Sequence, residues 1–103
     1  MLAMFDLTQV NKFTVEFVHD LNRVRVNGIA RRDKPPQIQK RIDKLIERAA
    51  DFDKEHRLNV YKKAQLLSQI REGLDAEGWA KEDVELVVRR LMTLRLKPSE
   101  GSG

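Results

Sequence analysis

Two acidic-x-x-His pairs offer the most specific chemistry in the chain, Glu16-x-x-His19 and Asp53-x-x-His56. Carboxylate-bridged di-iron bundles use this spacing, with further carboxylates supplied by the other helices, and every ligand must converge on the interior. At about 100° per residue, His19 points roughly 200° from Phe17, away from the apolar face of its helix. His56 instead shares the side of Leu45 and Phe52. The two pairs do not face one core, so neither a metal nor a cofactor is expected. One solvated histidine and one near a helix end, where a cation suits the dipole, account for both.

Other catalytic patterns are missing. The chain has no Cys, which removes thiolate nucleophiles, thiolate metal sites and disulfides together. Ser68 sits in the middle of a helical pattern with no Gly-x-Ser-x-Gly around it. Neither Gly-x-Gly-x-x-Gly nor the Walker pattern occurs, so no loop is built to cradle phosphate. The expectation is a protein that is not an enzyme.

Charge gives a stronger signal. The chain carries 20 Lys and Arg against 16 Asp and Glu, a net charge of +4. Nine of the basic residues fall between Arg23 and Arg48, opposed only by Asp33, Asp43 and Glu47. That segment is strongly positive and the rest of the chain slightly negative. Arg31, Arg32 and Lys34 lie on a connector beside a helix start, where backbone N–H groups also suit an anion. Lys40, Arg41, Lys44 and Arg48 continue the series along the next helix. These seven residues are the candidate anion- or partner-binding set. The bland alternative is a solvated helix face, part-neutralised by Asp43 and Glu47. No aromatic residue interleaves with them, which argues against stacking on single-stranded nucleic acid.

A second signal is apolar surface outside the main stripes. Val15 and Val18 lie off the stripe of the first helix, Ile46 off that of the second, and Leu86 off the Val84–Val88–Leu91 face. Together they are the candidate apolar interface. If the first helix is central and buries a wide arc, the same residues belong to the core.

These side chains need elements to position them, and four helical segments are legible. The first runs from about Leu7 to Val24 or Val26, with Val10, Phe13, Phe17, Leu21 and Val24 on one face. Asp6 is its expected N-cap, in capping-box register with Gln9. Asn27-Gly28 is its expected terminator. A short β-hairpin around Asn27-Gly28 is the competing reading, because Asn-Gly favours the tight turn and residues 13–18 are rich in strand formers.

After the connector Arg31–Pro36, the second helix spaces Ile38, Ile42, Leu45, Ala49, Phe52 and His56 by 4, 3, 4, 3 and 4 residues. The third starts near Asn59 as N-cap, with Val60, Ala64, Leu67, Ile70 and Leu74 on one face. Gly78 ends it, and Trp79 folds back over its last turn. The fourth begins near Ala80 and stops at Pro98.

At 103 residues, 41% hydrophobic and 35% charged, the composition fits one charged-surface helical domain. The fold expected is an all-α, compact four-helix bundle over residues 1–98, with a disordered tail at 99–103. No membrane span or secretory leader is expected, and the compartment expected is the cytoplasm. The function expected is non-catalytic: an interaction or adaptor protein binding a protein partner, or itself, through an apolar patch and basic surface. The alternative is a small nucleic-acid-binding protein using the basic segment 23–48.

Overall fold

The computed structural model describes residues 6–95, which fold into four α-helices with no strand among them. These are α1 (Thr8–Ala30), α2 (Pro35–His56), α3 (Val60–Ala76) and α4 (Lys81–Arg95). The tail expected to be disordered lies outside the described residues.

The first helix corrects the hairpin reading. It runs unbroken through Asn27 and Gly28 to Ala30. The reason is that Gly28 is a contact point rather than a turn. It is buried against Ile38 at the start of α2, and a Cβ built there would lie 2.6 Å from Ile38 Cγ1. Only a residue without a side chain lets the two backbones close. The turn falls four residues later, at Arg32, whose φ is +61°. There the Asp33 N–H donates to the Gly28 carbonyl at 2.8 Å and the Arg32 N–H to Ile29 at 2.9 Å. This is the Schellman arrangement, with arginine in the left-handed position that glycine usually takes.

The start of α1 also differs from expectation. The Asp6–Gln9 capping box does not form, and Leu7 occupies the N-cap. Asp6 instead accepts from the Thr8 N–H at 3.0 Å, and that bond holds its carboxyl below the ordinary carboxylate range.

The starts of α2 and α3 and the end of α3 follow the sequence closely, and the stop expected at Pro98 lies outside the described residues. Gln37 Oε1 accepts from the Lys34 N–H at 2.9 Å, and Pro35 opens α2 where a missing donor costs nothing. Asn59 Oδ1 caps α3 by accepting from Lys62 N at 2.8 Å. Gly78, at φ +85°, closes it, and the Trp79 N–H donates back to the Leu74 carbonyl at 3.1 Å.

Packing runs in a ring. Helix α1 rests on α2 and α3, and α4 rests on the same two helices. α1 with α2 and α3 with α4 form hairpins, while α1 and α3 run parallel: Asn11 bonds Gln69 near one end and Asn22 bonds Trp79 near the other. Gly73 lets α3 approach, since a Cβ there would meet Val18 Cγ2 at 2.8 Å. The core holds Val10, Phe17 and Leu21 from α1, and Ile42, Leu45, Ile46 and Ala49 from α2. Leu66, Ile70 and Leu74 come from α3, and Val84, Val87, Val88 and Leu91 from α4. On α3 the stripe is shifted from the expected one: Leu66 is buried, Leu67 is half-buried, and Val60 and Ala64 are exposed.

Candidate interaction surfaces

The four residues expected to form an apolar interface do not form one. Val18 is buried against Gly73, and Ile46 is 2% exposed. Each sits on a helix covered from two sides, so the buried arc is wider than a single stripe. Val15 and Leu86 are exposed, but on different faces. Val15 lines the α1–α3 cleft beside His19 and Glu72, and Leu86 lies on α4 near α2.

Apolar surface gathers elsewhere. Helices α1 and α4 stand diagonally across the ring, and a groove of about 360 Å³ opens between their facing ends above the start of α2. Ile29 on α1 and Leu86 on α4 form its walls, and Pro35, Ile38 and Ile42 its floor. Ile29 is 60% exposed and Leu86 40%. Trp79 closes the inner end, with its indole N–H donating to Asn22 Oδ1 at 3.1 Å. The Arg25 guanidinium lies over that ring, 4.7 Å from its centroid, and reaches Asp83 at 4.0 Å. Sequence reasoning missed Ile29, because a helix thought to end at Asn27-Gly28 leaves it in a loop.

None of the seven basic candidates lines this groove. Two aspartates organise them. Asp33 Oδ2 accepts from Arg41 at 2.6 Å and from Arg31 at 3.0 Å. The Arg41 bond chiefly holds its carboxyl below the ordinary value, against the opposing effect of desolvation. Asp20 is shared in the same way, with Arg23 and Arg48 each at 3.1 Å. Each trio keeps one net positive charge.

Of the seven candidates, Arg31, Arg41 and Arg48 are therefore tied into these trios. Arg32, Lys34, Lys40 and Lys44 are exposed and make no ion pair among the described residues. Asp43, expected to neutralise this face, instead bonds Arg90 on α4 at 2.9 Å.

Comparison with protein-family models, with curated proteins and with solved structures finds no match to this chain. The surfaces stand on their own chemistry.

The two acidic-x-x-His pairs stay apart. His19 is exposed, His56 is exposed with its ring 4.5 Å from that of Phe52, and Asp53 is buried in α2. Among the described residues no three His, Asp or Glu side chains gather as metal ligands would. No helix among them is long and apolar enough to cross a membrane.

Proposed function

We propose that the protein is a non-catalytic interaction module, an adaptor that seats a short apolar segment of a protein partner in the groove between α1, α2 and α4. The observation that carries this reading is the pairing of exposed Ile29 and Leu86 across a groove floored by Pro35, Ile38 and Ile42. An isolated exposed Leu or Ile is ordinary, but two facing one another over an apolar floor form a cleft that water fills poorly.

The groove is short. Arg25 to Ile29 spans one helical turn, about 6 Å. It therefore takes one or two apolar anchors from an amphipathic helix rather than a long strip of it. Arg25, which lines the groove, favours an acidic residue flanking those anchors. Such a module works in the cytoplasm as a regulatory or bridging protein.

The test is a selection of short helical peptides against the folded protein, repeated with Ile29→Glu and Leu86→Glu. Both positions are exposed, so both variants retain the fold. Peptides carrying apolar residues three or four apart beside an acidic one are expected, and both variants lose them. Peptides that bind the two variants as tightly as the parent chain would place the partner surface elsewhere.

A further inference from the structure

A second surface, independent of the groove, carries an inference of its own. We infer that the α1–α2 edge binds the phosphate backbone of double-stranded nucleic acid. The edge is rich in cations. On α2, Arg41, Lys44 and Arg48 recur at three and four residues and so share one stripe, with Lys40 beside it. Arg31, Arg32 and Lys34 extend the row across the loop, where all three are exposed.

Two carboxylates beside this row are already engaged, while Glu47, exposed and three residues past Lys44, offsets one of its charges. Asp20 and Asp33 each lie between two guanidiniums, which leaves a surplus charge in each trio and holds four arginine side chains in fixed places. Ordering them beforehand lowers the entropy lost when a partner binds. The α2 members of the trios, Arg41 and Arg48, lie about 10 Å apart along the helix, with Lys44 between them.

Three features select a duplex phosphate backbone over other anions. From Lys34 to Arg48 the edge extends about 21 Å along the helix axis. A duplex presents one negative charge per roughly 1.7 Å over that whole length. The stripe has no exposed apolar residue among its cations, whereas a protein interface is built around a desolvated apolar centre. Of the exposed apolar side chains, Ile29 and Leu86 line the groove and Val15 the α1–α3 cleft, and Val26 lies on α1 rather than on the α2 stripe. Nor does any aromatic residue stand between Arg31 and Arg48. Phe13, Phe17 and Phe52 stack on one another between α1 and α2, one turn past Arg48, where Phe13 and Phe52 are half-buried, and Trp79 is buried. Unpaired bases would find no ring among these cations to stack on, while a duplex needs none.

Arg32 makes a clean test available. Its backbone is left-handed, at φ +61°, a conformation glycine adopts without strain. Arg32→Gly therefore removes a cation and leaves the turn intact. The experiment is fluorescence anisotropy of a labelled duplex of about 20 base pairs, titrated with the full chain over a range of salt. Four cations without ion pairs (Arg32, Lys34, Lys40 and Lys44) predict a slope of log K against log salt of about −3.6.

Arg32→Gly with Lys44→Gln should flatten the slope to about −1.8 and weaken binding at low salt by at least about tenfold. Lys81→Gln with Arg89→Gln, the same charge change on exposed positions of α4, should leave both unchanged. Thermal unfolding of each variant shows whether the fold persists. Absence of duplex binding at about 50 mM salt overturns the inference. So does a slope the Arg32/Lys44 variant leaves unaltered, or an equal loss in the α4 control. If poly-glutamate displaces the duplex at equal charge concentration, the edge serves an acidic polypeptide and the nucleic-acid assignment fails.

Discussion

Gly28→Ala tests whether this residue is an interhelical contact or a chain terminator. Two opposed effects set the magnitude. Within a helix, Ala is favoured over Gly by about 1 kcal/mol. The new Cβ would lie 2.6 Å from Ile38 Cγ1 and 2.9 Å from Cδ1, about 1 Å inside the optimal carbon–carbon separation. Overpacking of this kind costs about 1–3 kcal/mol. The net expectation is a loss of about 1 kcal/mol. Ile38→Ala removes both clashing carbons, so Gly28→Ala in that background should stabilise by about 1 kcal/mol. The sign reverses, and the coupling between the sites is about 2 kcal/mol. Urea unfolding of the four proteins, followed by far-ultraviolet circular dichroism, measures it. A terminating glycine with positive φ would instead make Ala costly in both backgrounds, with no coupling. That result, or a stabilising Gly28→Ala in the parent chain, would refute the contact.

Two further outcomes follow from burial and charge. Leu45→Ala and Leu66→Ala should each lose about 2–5 kcal/mol of unfolding free energy, with Leu67→Ala clearly less and Lys40→Ala within about 0.5 kcal/mol of the parent. Asp33 has its carboxyl pKa depressed in the folded state, chiefly by Arg41. Its stabilising contribution is therefore complete above the unfolded value near about 4 and declines as pH falls through the folded one. The urea-midpoint gap between the parent and Asp33→Asn should accordingly be widest near neutral pH and narrow below about pH 4.

Much of the architecture was written in periodicity. The 4-3-4-3-4 series on α2 gave the centre of its buried face, Ile42, Leu45 and Ala49, though His56 is exposed and Ile46 and Asp53 are buried outside it, and Asn59 and Gly78 marked the ends of α3. On α1 the same series is present, as Val10, Thr14, Phe17, Leu21, Val24 and Gly28, but it is hidden by residue type. Thr14 looks polar, yet it is buried with its hydroxyl donating to the Val10 carbonyl at 2.8 Å. Gly28 resembles a stop signal, yet it marks the closest approach of two helices. Counting small residues as interface positions would have carried α1 to Ala30 and placed Ile29 on a helix.

The apolar candidates failed for a related reason. A wheel drawn around one stripe assumes a helix covered on one side, whereas α1 and α2 each have two neighbours, so Val18 and Ile46 turn inward. The basic set was legible as a cluster. Its division into tied arginines and open cations, Arg32 among them, was not, because Arg48 meets Asp20 from 28 positions away.

The ring of packing partners has a consequence for how the molecule opens. The α1–α2 hairpin covers its apolar side only with α3 and α4, and the reverse holds for the other hairpin. Neither half can detach without exposing both halves of the core at once. Partial opening is therefore nearly as costly as complete unfolding, apart from fraying at helix ends. The slowest backbone amides in all four helices should exchange with solvent deuterium through one shared event, so that the whole domain behaves as a single cooperative unit.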